Sequence, residues 1–255
     1  MHVVRPPAQP SGALVAWGNA WLTGHVGLDE AADAIERAAG PQVIAGKAEV
    51  PLRRGLADLR VAGMTALRLA LPVPGDPLGL TGPPHFNIAA LDAGAAVIGV
   101  LPDRAVGLVP AEDRRGSSYV GVRWTVLEAA AGVPDVPLLP EADRQLTLAV
   151  REATDVLLTV DDVSDWRPEI AEALSALRAG DGPPDALAPG YPPRAHRVAA
   201  LAGRLAVVVD LAQGLDGRHL TADQMARRAD ALRLLDRAVR RARVAAHNSA
   251  FDPVP

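Results

Sequence analysis

The stretch Ala66–Asn87, ALRLALPVPGDPLGLTGPPHFN, changes character halfway along. In its first part Leu67, Leu69, Leu71 and Val73 fall on one side of an extended chain, and Ala66, Arg68 and Ala70 on the other. A period of two is that of a β-strand. Its second part, residues 72–87, holds five prolines and three glycines in sixteen positions. Proline fixes φ and glycine opens φ > 0, so the shape of such a loop is specified by its backbone. A helical segment is expected from about 86 to 94. Long specified loops carried by rigid elements are frequent sites of function.

Toward the N-terminus the pattern is helical. Leu14, Trp17, Trp21 and Leu22 share one face of a helix expected over 12–23, after a flexible arm at 1–10. The segment 28–39, LDEAADAIERAA, opens with acidic residues, as the helix macrodipole prefers, and Gly40-Pro41 stops it. A short strand is expected at 42–45 and a third helix at 51–62, with Leu52, Leu56 and Leu59 on one face. Toward the C-terminus, AAVIGVL (95–101) and AVGLVP (105–110) flank Pro102-Asp103-Arg104 and read as a hairpin. A last strand at 119–127 places Val120, Val122, Trp124 and Val126 toward the core, and Tyr119, Arg123 and Thr125 away from it.

The Pro-rich run GVPDVPLLP (132–140) marks a change of composition, and no strand pattern follows it. Helices are expected at 140–159, 168–179, 194–213 and 221–247, with a Pro/Gly run at 180–193. Thr221 and Gln224 have the spacing of a capping box. The expected fold is therefore α+β. The N-terminal half carries a small mixed or antiparallel sheet of four to five strands packed on helices, and the C-terminal half is an all-helical bundle or cap. The expected division is a flexible arm at 1–10, an α+β domain at 11–135 and a helical domain at 136–255.

Composition narrows the function classes. Hydrophobic residues make up 49% of the 255 residues and charged ones 22%, as in globular proteins. Aromatics are only 3%, so the core is built from Leu, Val and Ala. Lys47 is the single lysine among 26 basic residues, a usage typical of a GC-rich genome. A net charge of −4 argues against a dedicated nucleic-acid binder, which needs a basic footprint. Cysteine is absent, which removes disulfides, thiolate zinc sites and a cysteine nucleophile. The opening MHVVRPPAQPSG has no apolar signal-peptide core, and no apolar run is long enough to span a membrane. A cytoplasmic location is the expectation.

Within the loop, N–H groups around Gly75, Gly79 and Gly82 are placed to cradle an anion, and Asp76 and His85 supply acid/base groups. Arg68 and Asn87 complete the expected binding set. The spacing is neither a Walker A motif nor G-x-G-x-x-G. The alternative is a rigid connector in which Asn87 or His85 caps the next helix. The six histidines show no metal-ligand spacing and no serine sits in a nucleophile elbow, so no metal, cofactor or covalent mechanism is implied. Arg204 and Asp210 interrupt the apolar helix 194–213 six residues apart, either as a buried polar site meeting groups of another element or, the favoured reading, as a solvent stripe shared with Arg197.

In the last helix Arg233, Arg237, Arg240 and Arg241 form a stripe opposite Met225, Leu232, Leu235 and Val239. That stripe is either a docking face for an acidic partner or a solvated helix face. The reading that follows is a non-catalytic binding or interaction protein using loop 72–87, with a protein partner or a small anionic ligand. The competing reading is a small-molecule enzyme or ligand-binding protein with a pocket between that loop and the helical half.

Overall fold

In the computed structural model, which describes residues 8–115, 119–160, 187–214 and 220–251, the alternating segments form a six-stranded mixed sheet. The chain runs through α1 (Ala8–Leu22), α2 (Leu28–Ala39), β1 (Gln42–Ala45), β2 (Glu49–Pro51), α3 (Leu52–Val61), β3 (Ala66–Ala70), α4 (Pro84–Ala93), β4 (Ala96–Val100), β5 (Ala105–Arg115) and β6 (Tyr119–Ala129). It continues through α5 (Leu139–Val160), α6 (Pro193–Gln213) and α7 (Ala222–Asn248) to a short 3-10 turn at Ser249–Phe251. The strand order is β2-β1-β6-β5-β4-β3, antiparallel except where β1 lies parallel to β6.

The sixth strand, β2, has only three residues and ends in Pro51, too short to show a period. Strand β3 stops at Ala70 rather than continuing to Val73, because Pro72 cannot donate to a ladder. The β5–β6 ribbon is longer than expected, pairing from Ala105↔Ala129 to Arg115↔Tyr119. Helix α1 begins at Ala8, within the segment read as an arm, whose residues 1–7 lie outside the described residues. Two compact units are distinguished: Met1–Val136 with Leu187–Ala195 and His247–Pro255, and Pro137–Ala186 with His196–Ala246.

In the first unit the register assigns each sheet face. Helix α1 packs on β3 and β4, and α3 packs on β1, over the side that carries Leu67, Leu69, Ile44 and Trp124. Helix α4 covers the other side at β5 and β6. There the Phe86 ring lies so close to the sheet that a Cβ at Gly107 would overlap it, so only glycine fits beneath it. Trp124 is fully buried and donates through Nε1 to Gln42 Oε1 at 2.7 Å; Gln42 Nε2 in turn donates to the Ile35 carbonyl at 3.3 Å. Val122 is buried and Arg123 exposed, as the alternation requires. Val120 departs from the expected burial: it pairs with Arg114 near the end of the ribbon and is 55% exposed.

Strand β3 is an edge strand, and its outward backbone groups need partners. Two asparagines supply them. Asn19 Oδ1 accepts the Leu67 N–H at 2.8 Å while its Nδ2 donates to the Leu67 carbonyl at 2.9 Å. Asn248 repeats the arrangement on Leu69, accepting at 2.7 Å and donating at 3.2 Å. Tyr191 ties these groups together: Asn19 Nδ2 donates to its hydroxyl at 3.3 Å, and the hydroxyl donates to the His247 carbonyl at 2.9 Å. Burial holds the Tyr191 hydroxyl well above its usual pKa.

In the helical unit Leu146, Ala153, Val198, Ala202, Val209, Leu232, Leu235 and Val239 are buried. The capping box forms: Gln224 N–H donates to Thr221 Oγ1 at 3.3 Å, and Thr221 N–H to Gln224 Oε1 at 2.9 Å. Arg197, Arg204 and Asp210 are exposed. Met225, expected on the apolar side of the last helix, is 46% exposed in its first turns. The helix expected at 168–179 and the residues 180–186 of the Pro/Gly run lie outside the described residues.

Two outcomes are expected. Asn19→Ala and Asn248→Ala each leave an edge N–H and C=O without a partner, at a cost of about 1–3 kcal/mol for each buried group left unsatisfied. Urea midpoints should fall in both, more for the fully buried Asn19 than for the partly buried Asn248; unchanged midpoints would exclude a closing role. The second outcome concerns Asp210. Although Asp210 is exposed, desolvation by the neighbouring helices, then the like charge of Asp236, raises its carboxyl above the usual range, and Arg243 opposes the shift. A raised folded-state pKa means that the folded chain binds the proton more tightly, so this carboxylate destabilises the fold above its titration and the penalty fades as pH falls through it. Asp210→Asn should raise the melting temperature at pH 7 and gain less at pH 4; the opposite ordering would refute the assignment.

Candidate functional site

Loop 71–83 leaves β3 and is held to the sheet by its own side chains. Leu78 is fully buried and Leu80 nearly so. Val73 and Asp76 exchange both backbone hydrogen bonds in a tight turn, with Gly75 at φ 83°. Gly79 sits at φ 92°, where a Cβ would come within 3.0 Å of Ala70 Cβ and 3.1 Å of the Leu69 carbonyl oxygen. The loop then docks on the chain leaving β6: Thr81 Oγ1 donates to the Ala130 carbonyl at 2.8 Å, and Ala130 N–H donates to the Gly82 carbonyl at 2.8 Å. Gly82, at φ 89°, precedes a cis peptide to Pro83, and its N–H donates to Asn87 Oδ1 at 3.0 Å.

Between this loop, the sheet and residues 130–134 lies a cavity of about 110 Å³. Its floor follows from the register. Arg68 pairs with Ile98, and Val100 with Ala105, so these four side chains stand on one sheet face. Gly79 and Thr81 form the loop wall, Ala130 to Gly132 and Pro134 the opposite wall, and Arg104 enters from the β4–β5 turn. Arg68 reaches across to the Gly132 carbonyl at 3.4 Å, a long hydrogen bond.

The lining contains two guanidiniums and no carboxylate. Several other arginines in this unit are paired with carboxylates. Arg53 pairs with Asp29 at 3.1 Å and Asp33 at 2.7 Å, and Arg114 with Glu112 at 2.7 Å. Arg115 bonds Asp113 at 2.8 Å and also meets Glu49, which Arg123 shares. Arg68 and Arg104 form no ion pair among the described residues.

The residues expected to form a site therefore separate. Arg68 and Gly79 line the cavity. Gly82 and Asn87 bond each other at the loop's end, and this is also how Asn87 is used, on a loop N–H rather than as a helix cap. Gly75 and Asp76 form the 73–76 turn, with Asp76 only 7% exposed, and His85 is exposed in the first turn of α4; none of the three lines the cavity. Arg104 and Thr81 are the lining groups that the sequence reading left out. Arg104 stands in the hairpin turn that the sequence shows, but that it lines one cavity with Arg68 depends on strand register. Groups of three or more metal-ligating side chains are absent among the described residues.

Gly79→Ala and Gly75→Ala separate the loop's two demands. Both force φ > 0 on an L side chain, at about 1–2 kcal/mol. Gly75 faces open space, whereas Gly79 abuts Ala70 and the Leu69 carbonyl. The melting temperature should fall further for Gly79→Ala; equal losses would show that crowding at Gly79 is not felt.

Residues 11–138 match the Rv1486c-like protein, N-terminal domain, and residues 140–244 the Rv1486c-like protein, C-terminal domain. The uncharacterized protein ML1804 of Mycobacterium leprae is 31% identical, over 94% of this chain and 96% of its own. The uncharacterized protein Rv1486c of Mycobacterium tuberculosis is 30% identical, over 93% and 95%. The uncharacterized protein MAV321 of Mycobacterium avium is 31% identical, over 70% and 73%. No solved structure matches the chain.

Proposed function

The chain belongs to the Rv1486c-like family, and we propose that it acts as a binding protein whose small ligand enters the cavity beneath loop 72–87. The observation that carries this reading is the lining. It offers hydrogen-bond donors on arginine, a hydroxyl and aliphatic walls, in a pocket whose loop side is fixed by buried leucines and a crowded glycine. Such a surface selects by charge and shape. An enzyme drawing on Asp76 and His85 has less support, because neither group reaches the cavity. Docking through the arginines of α7 also has less support. Arg227 and Arg240 pair with Asp223 and Asp236 at 2.9 and 3.0 Å, Arg233 pairs with Asp230, and Arg240 is 12% exposed.

The test uses the full chain and amide spectra. Small acids, neutral amides and amines are titrated as three charge classes. At least one class should give saturable shifts at Gly79, Thr81 and Gly132. Ala131→Trp, which adds bulk at an exposed lining position, should abolish them. No saturable shift from any class would refute the cavity as a binding site.

A further inference from the structure

We infer that the group held in this cavity is an oxyanion, the carboxylate or phosphate end of a small molecule, clamped between Arg68 and Arg104. The inference rests on the binding role of the cavity proposed above and adds the chemistry of its ligand.

Two guanidiniums line one cavity of about 110 Å³, with no carboxylate in its lining. Like charges brought to one small, partly apolar site repel, and an anion between them converts that repulsion into two attractions. Guanidinium groups are suited to this task, since each presents a planar fork of N–H donors that matches a carboxylate or phosphate edge. Arg68 commits one nitrogen to the long bond with Gly132. Its other N–H groups, and those of Arg104, have no protein partner among the described residues.

The Thr81 hydroxyl proton is spent on the Ala130 carbonyl, so the arginines are the side-chain donors left to the ligand. The remaining walls, Ile98, Val100, Leu101, Ala105 and Pro134, are aliphatic. They lower the local dielectric and strengthen a charge-assisted hydrogen bond made there. The volume, about 110 Å³, limits what can enter. It suits an oxyanion end group with at most a few carbons, and the body of a larger ligand would remain outside.

The experiment titrates the full chain separately with inorganic phosphate, acetate and propionate, against methylammonium and acetamide, following amide and arginine Nε–Hε resonances. At least one oxyanion should saturate, with shifts confined to Gly79, Thr81, Gly132 and the two arginines, and chloride should compete. Phosphate binding alone would assign a phosphate ligand; acetate or propionate alone would assign a carboxylate. R68Q and R104Q should each weaken binding about tenfold or more, the loss expected for a charge-assisted hydrogen bond. R37Q, a change on α2 outside the cavity, should leave it unchanged.

Arg104 is exposed, so R104Q tests the clamp even where R68Q disturbs folding. Equal affinity in R104Q and the parent chain overturns the inference, as do shifts scattered over the surface without saturation. Saturation by acetamide or methylammonium at Gly79 and Thr81, with none by oxyanions, overturns the anion assignment while the cavity keeps its binding role. Silence from every probe overturns both.

Discussion

The sheet depends on how its last strand is finished. Strand β3 has a neighbour on one side only, so Leu67 and Leu69 turn a row of backbone donors and acceptors outward. An open row of this kind either meets water or recruits another strand. Here two carboxamides stand in for the missing strand, Asn19 on Leu67 and Asn248 on Leu69, each giving and accepting one hydrogen bond. A carboxamide is the side-chain equivalent of a peptide group, so it fits the ladder without adding a further edge. These two residues are far apart in sequence, and their meeting makes the last turn of α7 part of the sheet unit. Tyr191 joins the same cluster through the Asn19 side chain and the His247 carbonyl.

With its edge fixed, β3 can carry side chains of opposite character on its two faces. Leu67 and Leu69 belong to the side packed by α1. Arg68, between them, must point to the other side, because successive residues of a strand alternate. There it stands beside Ile98, which belongs to the core cluster around Phe86. The cavity is thus a consequence of pleat and register. The loop that follows β3 cannot collapse into it, because Leu78 and Leu80 are already anchored in the core and Gly79 lies against the strand backbone. The loop wall facing the two arginines is held by packing, so a bound anion would not have to order that wall.

Much of this was legible in the sequence. Period-two alternation identified β3 and β6, the hairpin turn separated β4 from β5, and the glycine stops and capping box located helix ends. These signals are local, and local sterics and hydrogen bonding produce them. Strand β2 escaped because three residues cannot display a period. Val120 was placed on the core side by a correct alternation, yet it lies near the end of the ribbon and is exposed. Alternation gives the side of a residue and says nothing about whether a helix covers that point.

The sequence by itself determined most of the element types, the α+β architecture, the two-sided alternation of β3 and β6 and the specified backbone of loop 72–87, because each follows from neighbours a few residues apart. Tertiary structure decided which of the loop's polar residues face a common space. Asp76, His85 and Asn87 are close to Gly79 along the chain, but a tight turn, a helix start and a bond to Gly82 direct them elsewhere. Arg104, far along the chain, comes to line the same cavity as Arg68 through the β3–β4–β5 register. Register is set by which strands pair and where the chain turns back, so the partner of Arg68 in the cavity could be identified only once the sheet was assembled.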